Sequence, residues 1–233
     1  MKFKDLIKLY EDKKEKYGTE VFKHISELLK EAKEQHKRDW EKSRTPKGDH
    51  EQSWRAFKGK NLEKLVSYII EDEIKNLGLK VVNGNTLERT NSQNLSEELK
   101  QVKRNLLIDY GEFGFHLPDV DIIIYDQNNS EIIAVISSKV TLRERIAQTG
   151  YWKIKLSQNE NTRDIKVFFI TPDEDKTLST KNPAKKGRAI VEEDTDGGYV
   201  MNEEEIVESN KVKKFDKFLI DLRSLIDAKR NKK

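Results

Sequence analysis

The fold is decided by two apolar runs, Leu117-Pro118-Asp119-Val120-Asp121-Ile122-Ile123-Ile124-Tyr125 and Glu131-Ile132-Ile133-Ala134-Val135-Ile136-Ser137-Ser138-Lys139. Each run has the length and β-branched composition of a strand. The five residues between them, Asp-Gln-Asn-Asn-Ser at 126–130, have the chemistry of a turn. The sequence therefore predicts an antiparallel hairpin.

The open end of this hairpin carries polar side chains. Successive residues of a strand alternate between the two faces, so Asp119 shares a face with Asp121, and Ser137 shares one with Lys139. Antiparallel pairing brings the start of the first strand beside the end of the second. We therefore expect Asp119 and Lys139 to meet where polar groups can reach solvent and a ligand.

Composition narrows the class of protein. The 233 residues include 45 Lys+Arg against 42 Asp+Glu, a net charge of +3, so basic patches that would suit nucleic acid can form. The absence of cysteine excludes disulfides and thiol catalysis. Four histidines without an i,i+4 pair do not predict a histidine metal site. Neither a signal peptide nor a membrane-spanning run is visible, which predicts a soluble, cytoplasmic protein without a membrane partner.

Helical patterns precede the hairpin. Residues 3–43 have helical periodicity with Thr19 as an N-cap, and the break at residues 43–49 predicts a linker between an N-terminal helical region (1–45) and a second domain (50–233). A helix is expected over 51–77, ended by Gly78. Further expectations are a strand at 80–82, a loop over 83–94 and a helix from the Ser96 cap to about Leu107.

Other elements follow the hairpin. The patterns predict a helix over 142–156 with Thr141 as its N-cap and a strand over 165–170. They also predict a second hairpin from 188–191 and 199–201 around a glycine turn, and a final helix over 213–228. This order indicates an α/β (α+β) fold, with a central mixed sheet flanked by helices and a crossover through the 142–156 helix.

Asp119 and Lys139 together suggest a chemistry. Taken singly, Asp119 is most simply an aspartate in a turn, and Lys139 is most simply a lysine on the surface. As a pair they supply what metal-assisted phosphodiester hydrolysis needs: a carboxylate for a hard cation such as Mg²⁺, and an ammonium that orients water and offsets developing charge.

The same residues resemble a known family. Glu63 on the preceding helix, Pro118-Asp119 opening a strand, Ser137-Ser138-Lys139 closing the next and Arg143-Glu144-Arg145 opening the following helix resemble the PD-(D/E)XK nuclease core. The sequence from Ser137 to Ile146, followed by Tyr151-Trp152-Lys153, is similar to that of BsaWI-type restriction endonucleases of the CCGG-cutting group. The resemblance implies that Asp119 and Glu63 hold Mg²⁺, that Lys139 activates water and that Ser137 assists.

One position departs from the family pattern. The general motif has Asp or Glu two residues before the lysine, where this chain has Ser137, and serine cannot supply the missing negative charge. A second carboxylate must therefore come from elsewhere. By itself Glu63 is most simply a solvated helix residue, but its place on the helix before the core makes it the first candidate in the family context. Asp121 is the next candidate, and Glu144 a further one by composition.

The cluster Arg143-Glu144-Arg145 suits DNA recognition. Arginine pairs bidentately with the O6 and N7 atoms of guanine, and glutamate accepts from cytosine N4. Such a cluster would read G·C pairs, in agreement with the CCGG resemblance. The alternative is an ordinary salt-bridged helix start.

We therefore predict a Mg²⁺-dependent type II restriction endonuclease that acts on double-stranded DNA. A cut through both strands of a symmetric site favours a homodimer, and a cognate DNA methyltransferase is expected in the same system. Two alternatives remain open: a repair or recombination nuclease of the same fold with little sequence preference, and a non-catalytic DNA-binding module.

Overall fold

The N-terminal third of the chain is helical. The computed structural model describes residues 1–42, 48–140, 143–202 and 204–231, with no account of the side chains of residues 143 and 144. Its first helices are α1 (Phe3–Tyr17), α2 (Ile25–Glu41) and α3 (His50–Asn76). The helix expected over 3–43 is divided, because Gly18 adopts a φ of 56° and residues 18–24 form a 3-10 turn. Most of the expected 43–49 linker lies outside the described residues.

Short elements connect α3 to the hairpin. They are β1 (Leu79–Asn83), α4 (Gly84–Arg89), α5 (Glu97–Leu106), β2 (Ile108–Asp109) and β3 (Phe115–His116). Gly78, with a φ of 76°, follows α3 as expected, and the Ser96 hydroxyl accepts from the Leu99 amide at the start of α5. The loop expected over 83–94 is wrong, because Asn83 accepts from the Asn85 amide and caps the short helix α4.

The hairpin and its crossover match the expectation. Strands β4 (Ile122–Asp126) and β5 (Ile132–Ser138) pair antiparallel, with Ile122 opposite Ile136. Helix α6 (Arg143–Ser157) then crosses to β6 (Lys166–Thr171), which runs parallel to β5. The predicted N-cap Thr141 lies outside the described residues.

The C-terminal region differs from the expected hairpin. It contains α7 (Lys186–Asp194), β7 (Gly197–Val200), β8 (Val212–Lys214) and α8 (Phe218–Arg230). Residues 188–191 are helical, and β7 pairs parallel to β6 rather than with them. The two glycines at 197–198 lie within the strand because their neighbours are close: a Cβ on Gly198 would stand 2.8 Å from Val191 of α7. The two glycines allow α7 and the neighbouring strands to pack closely against β7, and they do not form a turn.

The main sheet has the strand order β1-β4-β5-β6-β7-β8, antiparallel from β1 to β5 and parallel from β5 to β8. The predicted central mixed sheet flanked by helices is confirmed. One face packs against α1, α2, α3 and α8, and much of the opposite face against α5 and α6. Leu6 and Leu28 belong to the same core as Ile70 and Ile122, while the division into regions 1–45 and 50–233 stays a prediction. Within the described ranges, no helix combines the length and apolarity needed to cross a membrane.

Candidate active site

Asp121 is held rigidly at the mouth of the β4–β5 hairpin. Its side chain is only 7% exposed; Oδ1 accepts from Lys139 Nζ at 2.6 Å and Oδ2 from the Ser138 amide at 2.7 Å. Its backbone amide donates to Ile136 at 3.1 Å, and its carbonyl accepts from the Gly84 amide at 2.9 Å. The carboxylate therefore has a defined position and a neighbouring positive charge.

Gly84 permits this arrangement. A Cβ at position 84 would lie 1.8 Å from the carbonyl oxygen of Val120, so any side chain would displace the segment that leads into β4. The close approach of α4 to residues 120–121 thus requires glycine. Nothing in the local sequence pattern indicates this contact, because residues 84 and 121 are far apart in the chain.

Glu63 reaches the same place from α3. Its Oε1 accepts from Asn83 Nδ2 at 3.5 Å. Burial raises the pKa of Glu63, and the negative charge of Asp121 and a hydrogen bond to it raise it further, against an opposing effect of Lys139. The structure therefore brings two carboxylates and one ammonium together, as the sequence led us to expect for Glu63 and Lys139.

Asp119 does not pair with Lys139, which corrects the sequence-based expectation. It is exposed, and its Oδ2 accepts from Gln148 Nε2 on α6 at 2.8 Å. The reason is where the ladder begins: pairing with β5 starts at Asp121, so that residue, rather than Asp119, lies beside Ser138 and Lys139. Asp121, which the sequence offered after Glu63 as a source of the missing carboxylate, thus occupies the position beside Lys139 that was expected for Asp119. Gln148 was not identified from the sequence.

Ser137 is buried within β5. Strand alternation assigns it to the same face as Lys139. The backbone amide of Ser138 donates to Asp121. Holding the Asp121 carboxylate in this way does not require a serine side chain. Any assistance from the Ser137 hydroxyl stays a prediction.

Arg145 lies close to this site at the start of α6. A cavity of about 490 Å³ is lined by Arg145, Lys139, Arg55 and Lys58, among others. The Arg145 guanidinium donates to Gln148 Oε1 at 3.4 Å, and Gln148 in turn donates to Asp119. The side chains of Arg143 and Glu144 lie outside the described part of the structure, so their predicted contacts with DNA bases stay predictions.

The carboxylates of the site match the ligands that a divalent cation prefers. In the described ranges no group of three or more His, Cys, Asp or Glu side chains is arranged to hold a metal ion. Mg²⁺, however, is often bound through one or two carboxylates, with water and substrate phosphate completing its ligands. Glu63 and Asp121 provide two such carboxylates; burial, followed by the charge of Asp121, raises the pKa of Glu63. The residues fit this type of site.

Comparisons with known proteins agree with these features. The model of the family "BsaWI restriction endonuclease type 2" matches residues 98–223, more than half of the chain. The chain belongs to this family. It is therefore a type II restriction endonuclease, a site-specific endonuclease, which confirms the resemblance found in the sequence.

Two relatives support the assignment. A Methanocaldococcus jannaschii protein named "Putative type II restriction enzyme MjaVIP" is 39% identical over 212 residues, 85% of this chain and 92% of the relative. A Helicobacter pylori protein named "Probable type II restriction enzyme HpyAORF263P" is 37% identical over 127 residues, 54% of this chain and 64% of the relative. The second match thus covers under two thirds of that relative.

The fold has a solved counterpart. The restriction endonuclease AgeI, whose structure was determined in complex with DNA, superposes with a TM-score of 0.56, covering 89% of this chain and 82% of AgeI. At 15% identity this similarity bears on the fold alone. It agrees with the restriction-endonuclease-like mixed α/β architecture predicted from the sequence.

Proposed function

We propose that this restriction endonuclease hydrolyses phosphodiester bonds of double-stranded DNA in a Mg²⁺-dependent reaction at the Glu63–Asp121–Lys139 site, with a PD-(D/E)XK-type division of labour. The observation that carries the proposal is the 2.6 Å contact between Lys139 and the buried carboxylate of Asp121, beside Glu63. Asp121 takes the metal-binding role that the sequence suggested for Asp119.

Asp121 and Glu63 would hold the cation through their carboxylate oxygens. When bound, a divalent cation neutralises the scissile phosphate and lowers the pKa of the attacking water. The protein itself contributes the fixed geometry: the Ser138 amide and the Gly84 amide hold the side chain and the carbonyl of Asp121, respectively. Preorganisation of this kind avoids reorganisation during the reaction.

Lys139 has the second role. Its ammonium is partly exposed, with 29% of the side chain accessible, while it remains bonded to Asp121. It has two further N–H donors, which can orient the attacking water and offset negative charge that develops on the phosphate. Ser137, on the same face of β5, is the candidate to hold a water molecule nearby.

Recognition is assigned to the start of α6. Arg145 shares a cavity with Lys139, so a base-reading arginine would lie next to the cutting site. In the sequence it follows Arg143 and Glu144, an Arg-acid-Arg order that suits G·C pairs, and we propose a recognition site with a CCGG-like core. Each chain carries one such site, so a cut through both strands requires two copies, and we propose a homodimer whose host encodes a cognate methyltransferase.

The test is a digestion of DNA of known sequence with Mg²⁺, followed by sequencing of the fragment ends. Discrete fragments sharing one G·C-rich sequence at their ends would support the proposal. A smear would indicate a nuclease without sequence preference, and binding without cleavage in Mg²⁺ or Mn²⁺ would indicate a non-catalytic module. Light scattering with a symmetric duplex would measure whether two copies bind.

A further inference from the structure

One face of α3 carries an exposed glycine that the packing of the fold does not explain. Arg55, Gly59 and Glu63 are spaced by four residues and therefore share a face of the helix. Gly59 is exposed in the interior of a 27-residue helix, and a Cβ added there would meet nothing within 4 Å. Because glycine weakens a helix interior, a glycine without a packing reason indicates close approach of something outside the fold.

Exposed cations lie on both sides of this face. On one side, Arg55 and Arg145 line the 490 Å³ cavity that contains Lys139. On the other, Lys60, Lys64 and Arg89 line a cavity of about 780 Å³ whose wall includes Glu63. Acids also line the cavities, Glu174 (paired with Lys58 at 2.7 Å) in the first and Glu71 in the second, but cations outnumber acids in each lining. The Glu63–Asp121–Lys139 site lies between the two.

These cations differ from many others on the surface. Among the described residues, none of these five side chains forms an ion pair; Lys64 lies over the ring of Phe3, 5.8 Å from its centroid. Lysines at the opposite end of the sheet are paired: Lys80 with Glu98 at 2.8 Å, Lys166 with Asp196 at 3.2 Å, and Lys229 with Glu131. Lys58 and Lys139 beside the site are paired, with Glu174 and Asp121, so the five unpaired cations supply the excess positive charge that favours a polyanionic partner.

We infer that the DNA strand to be cut runs across α3 from one cavity to the other, with its sugar-phosphate backbone against Gly59. Arg55 binds a phosphate on one side of the scissile bond, next to the base-reading Arg145, and Lys60, Lys64 and Arg89 bind phosphates on the other. Such contacts set the register of the strand without reading its sequence. The inference rests on the proposed function, since it takes DNA as the substrate and Asp121 as the cutting site.

Gly59→Ala separates this role from a structural one. The fold has room for the methyl group, and alanine favours the helix, so the thermal midpoint should equal or exceed that of the wild type. The methyl group would nevertheless stand between the helix and the DNA backbone. Cleavage of plasmid DNA at limiting concentrations should therefore fall by about tenfold to a hundredfold, mainly through a higher KM.

Charge removal provides the second measurement. The triple variant Lys60→Gln, Lys64→Gln, Arg89→Gln and the control triple Lys80→Gln, Lys166→Gln, Lys229→Gln lose the same net charge. Binding of a 30-base-pair duplex is measured in EDTA over a series of salt concentrations. Each lost phosphate contact lowers the slope of log K against log salt by about 0.9, so the first triple should lose roughly 2–3 and the control almost nothing.

The outcomes are distinct. Wild-type activity with Gly59→Ala, or equal slopes for the two triple variants, would overturn the phosphate path while leaving the proposed function intact. A wild-type protein that never cuts would contradict the proposed function, and the salt slopes would still decide whether DNA binds along α3.

Discussion

The ammonium of Lys139 lies 2.6 Å from the carboxylate of Asp121, and Asp119, two residues earlier, is bonded to Gln148 instead. Both aspartates precede the same strand, yet one is buried and the other exposed. The buried carboxylate of Asp121 is hydrogen-bonded to Glu63, whereas that of Asp119 accepts from Gln148, so different roles are expected for the two aspartates.

Asp121→Asn should abolish cleavage, because it removes a proposed metal ligand while keeping the shape of the side chain. Asp119→Asn should keep activity within about tenfold of the wild type, since it alters only an exposed hydrogen bond worth about 1 kcal/mol. Rates of plasmid cleavage in Mg²⁺ compare the two variants. The opposite ranking would return the catalytic role to Asp119.

Lys139→Gln should reduce the cleavage rate by about a hundredfold or more, in line with the loss of a group that assists proton transfer. Binding of a duplex in EDTA should change little. Loss of the partner of a buried carboxylate should also cost about 1–3 kcal/mol in the free energy of unfolding, measured in urea.

Lys153→Gln is the control for Lys139→Gln, since it also removes one lysine from a partly buried ion pair. Lys153 forms a partly buried ion pair with Asp196 at 2.7 Å, at the end of β6 away from the site, and Asp196 keeps a second ion pair with Lys166 at 3.2 Å. Loss of Lys153 should therefore destabilise the fold less than loss of Lys139 does, with cleavage retained. A comparable fall in activity for both variants would mean that Lys139 acts through stability alone.

Glu63→Gln should stabilise the metal-free protein at alkaline pH. The pKa of Glu63 is raised in the folded state, so the folded protein holds this proton more tightly than the unfolded chain does. Stability is therefore lost as pH rises from the ordinary value of 4.5 through the raised folded pKa. The gain from glutamine should appear above that window and vanish at pH 4.

The same variant tests cation binding. In the wild type, Mg²⁺ should raise the thermal midpoint measured at pH 8, because binding to the native state adds to its stability. In Glu63→Gln this increase should shrink, and cleavage should fall. An equal response of both proteins to Mg²⁺ would remove Glu63 from the metal site.

The contact between His36 and His50 should make stability depend on pH. Their ring nitrogens lie 3.3 Å apart between α2 and α3, and burial, followed by the charge of His50, lowers the pKa of His36. The unfolded chain therefore takes up the proton first, and stability is lost as pH falls from the ordinary value of 6.5 towards the lowered folded pKa.

Thermal midpoints from pH 8 to pH 5 measure this effect. His36→Leu should show a smaller fall than the wild type over that range. His116→Leu, which alters an exposed histidine bonded to the Phe113 carbonyl, should keep the wild-type slope. Identical slopes for all three proteins would mean that protonation of the histidine pair does not affect the stability of the fold.

Local patterns in the sequence were sufficient for several elements. Apolar spacing and caps identified α3 and α5, and the turn residues at 126–130 identified the β4–β5 hairpin, because these signals act between residues close in the chain. The same local reasoning failed at 188–201. There glycine is needed because Val191 and strand β6 lie close to positions 197 and 198. A local turn pattern carries no information about such distant neighbours.

The sequence by itself determined the family, the order of the chemical groups and the two strands that bring an acid to a lysine. Only the tertiary structure decided which acid that is. Residues 119 and 121 share a face by alternation, and the choice between them depends on where pairing with β5 begins and on the Gly84 amide that holds the Asp121 carbonyl. A contact between distant segments, formed because Gly84 lacks a side chain, places Asp121 beside Lys139 and leaves Asp119 outside.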